Sequence, residues 1–94
     1  MKKLYVTSEI WKEGNMFASY CPELDVASCG HTPDEAEKNL REVIEIHLEE
    51  TKKMGTLRQF LEECGFAIDN ANPVIELRKE LIGFERLAVP VEMA

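Results

Sequence analysis

The chain predicts an α+β domain: a three-stranded antiparallel sheet plus a C-terminal strand, one long helix packed on one sheet face, and a short second helix. Three observations lead there. From Lys2 to Gly30, apolar and polar residues alternate with the period of half-buried strands, interrupted by a Gly-Asn pair and a Pro-acidic run. At Thr32 the pattern switches to an apolar stripe with helical spacing, introduced by a fully marked helix start. The length of 94 residues holds one modest core, removing roughly 60–65% of the unfolded chain's surface from water, so residues 1–94 read as a single domain.

In KKLYVTSEIW, Leu4, Val6, Ser8 and Ile10 share one face, while Tyr5, Thr7, Glu9 and Trp11 share the other, which gives a first strand with an aromatic outer surface. Lys12-Glu13-Gly14-Asn15 reverses the chain and MFASYC forms the second strand of a hairpin. Pro22-Glu23-Leu24-Asp25 ends that strand, since Pro offers no N–H to a ladder, and VASC supplies a third strand that stops at Gly30. Thr32 then provides an N-cap hydroxyl, Pro33 takes the first helical position, and Glu35 closes a capping box. Ala36, Leu40, Val43, Ile44, His47 and Leu48 follow helical spacing, and Gly55 is the left-handed stop. Glu37 with Arg41, and Glu49 with Lys53, are spaced as solvent-side ion pairs. TLRQFLEECGF repeats this grammar in miniature, from the cap at Thr56 to the stop at Gly65. AIDNANP is a turn-rich loop, VIELRKELIGFER fits helix or strand, and LAVPVEM alternates as a final strand, an edge or bulged one because of Pro90.

A net charge of −7 repels phosphate backbones, so direct nucleic-acid binding is not expected and a neutral or basic partner is. Lys2 and Lys3 are followed too soon by Thr7, Ser8 and Glu9 for a signal peptide, and no other stretch approaches a membrane span. Three cysteines, Cys21, Cys29 and Cys64, cannot all pair within one chain, and a reducing cytoplasm fits them best.

Those cysteines and His31 also raise the question of zinc. Structural zinc sites use closely spaced ligand pairs, and the gap between Cys21 and Cys29 is too long, so the thiols read as small hydrophobes and no metal or other cofactor is expected. His47 has no histidine or carboxylate at i+4 on its stripe and reads as a core-edge residue. No cysteine has a signature fixing a base and an oxyanion site, and the glycines serve turns and caps rather than a phosphate loop. Neighbouring acids such as Glu49-Glu50 point in different directions. No catalytic residue emerges, and the chain is expected not to be an enzyme.

The run CPELDVASCGHTPDEAEKNLREVIEIHLEE resembles the segment shared by HicB-like antitoxins. The matching features are the Pro-acidic-Leu turn (Pro22, Glu23, Leu24), a short strand, the Gly-x-Thr-x-x-Glu-Ala helix start (Gly30, Thr32, Glu35, Ala36), and Asn39 and Leu40 in the second helical turn. The resemblance spans about Leu4 to Phe66. His31 stands where the family commonly has Asp, and Val26 and Ala27 occupy a stretch where it often has Gly. The resemblance implies a partial, degraded ribonuclease-H-like β-β-β-α-β fold. It further implies an antitoxin that binds and neutralises a small basic toxin of the HicA-like type, one that cleaves messenger RNA. Many such antitoxins carry a DNA-binding module after this segment, and residues 67–94 are too few and too little basic to form a complete one. The alternative is a solitary oligomeric binding protein of the same fold. Ribonuclease-H-type catalysis requires inward carboxylates holding two metals, and Glu9 is the only acid within the three predicted strands.

Two surfaces follow. Glu9, Trp11, Glu23, Leu24 and Asp25 are the candidate contacts for a partner, and Tyr5 with Trp11 the candidate surface for a homodimer or higher oligomer.

Overall fold

The computed structural model describes residues 2–93. Its elements run β1 (Lys3–Leu4), β2 (Glu9–Glu13), β3 (Met16–Cys21), β4 (Val26–Gly30), α1 (Pro33–Lys53), α2 (Leu57–Glu63), β5 (Phe66–Ala67) and β6 (Val74–Leu77). Two small sheets result. One is antiparallel in the order β2-β3-β4; the other has the order β1-β6-β5, with β1 parallel and β5 antiparallel to the central β6.

The first hairpin closes as the Gly-Asn pair predicts: Glu13 lies opposite Met16 and Gly14 takes φ 61°, the left-handed conformation a two-residue hairpin loop needs. Cross-strand pairing then sorts the side chains. Ile10, Ser19 and Ser28 share a row facing α1, and so do Cys21 and Val26. Trp11, Ala18 and Cys29 form a row on the outer face, beside Glu9, Tyr20 and Ala27.

Helix α1 begins where the sequence places it. The Thr32 hydroxyl accepts the Glu35 N–H at 3.0 Å, while the Glu35 carboxylate reaches back to the His31 N–H at 3.4 Å rather than to that of the cap residue. Two hydrogen bonds tie α1 to the sheet: the buried Ser19 hydroxyl donates to the Ala36 carbonyl at 2.8 Å, and the Asn39 amide to the Cys29 carbonyl at 2.8 Å. Gly30 is required by proximity. A Cβ there would lie 2.6 Å from the Ala36 nitrogen and 2.9 Å from the Glu35 carbonyl carbon, so only a glycine lets the helix start cross the end of β4. The helix stops at Met54, with Gly55 at φ 74°.

The core lies where the two sheets meet under the helices, and contains Cys21, Leu24, Leu40, Leu61, Phe66 and Ile75. Leu4, Val6, Ile44, Leu48 and Phe60 pack around it, half-buried.

Three expectations are corrected. The single first strand is two strands, because the Glu23 carboxylate takes the Thr7 N–H at 2.9 and 3.0 Å and the Thr7 hydroxyl at 2.6 Å. The β1–β6 register gives the Lys3 N–H to the Pro73 carbonyl and the Tyr5 N–H to the Ile75 carbonyl, so the Thr7 N–H would be the next rung, to Leu77. Glu23 occupies that donor, and the ladder ends. Thr56 does not cap α2; its hydroxyl donates back to the Thr51 carbonyl at 3.4 Å. The C-terminal strand is not LAVPVEM but Val74–Leu77, the β-branched start of the ambiguous segment, and among the described residues no regular element follows Leu77.

A candidate protein-binding face

Because α1 covers one side of the β2-β3-β4 sheet, the other side is left to solvent. Trp11 dominates it, 60% exposed, its indole N–H donating to a Glu9 carboxylate oxygen at 3.2 Å. The next cross-strand row brings Tyr20 beside Glu9, and the Tyr20 hydroxyl donates to Asp25 at 2.7 Å. Asp25 reaches this position because the turn holds it at φ 54°, a conformation Asp tolerates better than most residues. Acceptance by Asp25, then burial and the nearby Asp25 and Glu9 charges, push the Tyr20 hydroxyl above its ordinary pKa, so it remains a neutral donor at physiological pH. The arrangement is a line of Trp11, Glu9, Tyr20 and Asp25 in which each aromatic side chain donates to a carboxylate. Glu13 extends the acidic margin along β2.

The structure therefore brings Glu9, Trp11 and Asp25 together on one face. It separates the other two candidate contacts from them. Leu24 is only 6% exposed and belongs to the core, because the turn folds its side chain inward beneath α1. Glu23 is engaged internally: burial pushes its carboxyl up, but the Thr7 hydroxyl and N–H outweigh that and hold it below the usual carboxylate range. Tyr5, though 59% exposed, precedes the break at Thr7, so it does not share a continuous strand face with Trp11.

The structure also accounts for the motif residues. Pro22 opens the turn; Thr32, Glu35 and Gly30 build the helix start; Ala36 and Leu40 are its buried contacts.

Cys21 faces α1, fully buried, and Cys29 faces outward on the opposite side of the same sheet, so the two thiols point apart. Burial pushes the Cys21 and Cys64 thiols above their ordinary pKa. Among the described residues no group of three or more His, Cys, Asp or Glu side chains is placed to hold a metal ion. His47 stacks edge-on against Phe60 with ring centres 4.7 Å apart, tying α1 to α2.

One feature escaped the strand-by-strand reading of the sequence: a groove of about 680 Å³ between residues 4–8 and α1, floored by Leu40, Ile44 and Leu48. It lies beside the break in the first strand, and no spacing rule marks that break. No helix among the described residues is long and apolar enough to cross a membrane. Comparison of the chain with protein-family models, curated proteins and solved structures finds no match.

Proposed function

We propose that this chain is an antitoxin of the HicB-like type that binds and neutralises a small, basic, messenger-RNA-cleaving toxin in the cytoplasm. The observation carrying this reading is the outer sheet face, where an exposed Trp11 is bonded to the Glu9 carboxylate and, in the next row, Tyr20 is bonded to Asp25. Aromatic side chains with an acidic rim suit the binding of a cationic protein: the ring supplies the anchor and the rim supplies steering. A ribonuclease must present positive charge to its phosphate substrate, so an inhibitor of −7 charge complements the surface the RNA would occupy. The resemblance from Pro22 to Glu50 supports the reading, as does the order of three antiparallel strands, long helix and a strand returning parallel to β1. With β1 and β2 counted as one interrupted strand, that order follows the β-β-β-α-β arrangement the resemblance implies, while α2 and β5 are additional and the strands fall into two sheets.

Co-expression with the basic protein of about 60–80 residues expected from an adjacent gene, at the small end of ordinary domain sizes, tests the proposal. Co-purification and loss of toxicity are the expected results. If such a partner neither co-purifies nor loses toxicity, the chain is better described as a solitary oligomeric binding protein.

A further inference from the structure

Beyond Leu77 the chain exposes a run of large apolar side chains. Phe84, Leu87, Val89 and Val91 are 92, 74, 71 and 73% exposed. The radius of gyration is 16.5 Å, against about 12 Å for a compact chain of this length, and the longest extent is 54 Å. An arm projects from the body.

We propose that residues 84–93 of one copy add as an edge strand to β2 of a second copy, and that the second copy returns the same contact. The arm alternates as a strand should, with Leu87, Val89 and Val91 on one side and Ala88, Pro90 and Glu92 on the other. The acceptor is an open edge. Among the described residues β2 is hydrogen-bonded to β3 alone, and its two faces carry Ile10, 37% exposed, and Trp11. The arm does not run on along its own β2: the ladder from β6 ends where Glu23 holds the Thr7 N–H, and residues 80–93 are exposed and unpaired.

Charge selects the occupant. Residues 81–93 hold two acids, Glu85 and Glu92, against one base, Arg86, leaving almost all of the −7 charge on the body. A basic partner would be drawn to that body and not to a nearly neutral arm, whereas a second copy always offers one arm and one open edge in equal number. Pro90 then fixes which way the arm faces. Lacking an N–H, it must point away from β2, so the backbones of Leu87, Val89 and Val91 make the ladder. The same Pro interrupts the new outer edge and stops a further strand from adding, which limits the assembly to a closed dimer.

That parity provides the test, made on the full chain with no other protein present. Light scattering over a dilution series should give two chains at micromolar concentration, and dissociation on dilution should shift the emission of Trp11, the chain's sole tryptophan, to the red. Val89→Pro removes a ladder N–H and should raise the dimer dissociation constant by at least about tenfold. Ala88→Pro removes an outward N–H and should leave that constant nearly unchanged. A wild-type mass of one chain overturns the proposal, and so does equal loss, or equal retention, of dimer in the two variants. Because no toxin is in the assay, failure here leaves the reading of the Trp11 face untouched.

Discussion

Glu23 shows how one side chain can set an architecture. Its carboxylate accepts from both the N–H and the hydroxyl of Thr7, and in doing so ends one ladder and bends the chain between two sheets. Glu23→Gln keeps the shape but not the charge, and should cost about 1 kcal/mol at neutral pH after allowance for solvent around a half-exposed group. The folded carboxyl lies below the ordinary value of about 4.3 for an unfolded Glu, so the stabilisation is complete above that value and disappears as pH falls through the folded one. Urea denaturation of wild type and Glu23→Gln at pH 7 should separate the two; at pH 3 the difference should shrink. Gly30→Ala tests a different constraint. Its new methyl would press on helix backbone at 2.6 Å, which cannot yield as a flexible side chain would, and an overpacking loss of about 1–3 kcal/mol is expected by the same measurement.

Among elements, the bounds of α1 were legible because they are local chemistry: a hydroxyl at Thr32, a Pro at the first turn and a glycine after the last. The first hairpin was legible for the same reason. What the sequence did not show depends on partners distant along the chain. No periodicity in KKLYVTSEIW reveals that Glu23 will take the Thr7 N–H, and none shows that VIEL will pair with residues near Lys3 while LAVPVEM will not pair within the chain. The candidate face divides along the same line: alternation correctly placed Glu9 and Trp11, but the direction of each side chain in the Pro22–Asp25 turn followed from the fold, so Leu24 went to the core and Glu23 to Thr7. The surface ion pairs of α1, at 3.8 and 3.4 Å, are exposed and add little. Its hold comes from Ala36 and Leu40. Leu40→Ala should lower thermal and urea stability by about 2–5 kcal/mol, while loss of the cap in Thr32→Ala should cost about 1 kcal/mol.

At the scale of the whole molecule, the acidic body and the apolar arm divide two kinds of association between them. For the proposed toxin complex, Glu9→Lys with Asp25→Asn should slow association about tenfold at low salt and much less at high salt, because rim charges act through a screened field. Asn is chosen at position 25 since the left-handed backbone there disfavours longer residues. Trp11→Ala should instead hasten dissociation, and surface-bound kinetics at two ionic strengths distinguish the two effects. The parallel pairing of Lys3 with Val74 and Leu4 with Ile75 carries a consequence in time. At synthesis rates of about 5–20 residues per second, roughly 4–14 s separate the making of β1 from that of the strand it needs. The hairpin, β4 and α1 need only near neighbours and can assemble during that interval, while the newly made start of the chain waits unpaired. The oldest piece of the chain is thus fastened last, and a protease acting during translation should find its opening there. Hydrogen exchange of the finished protein should report the same order, with the Lys3 and Tyr5 amides exchanging before those of β3.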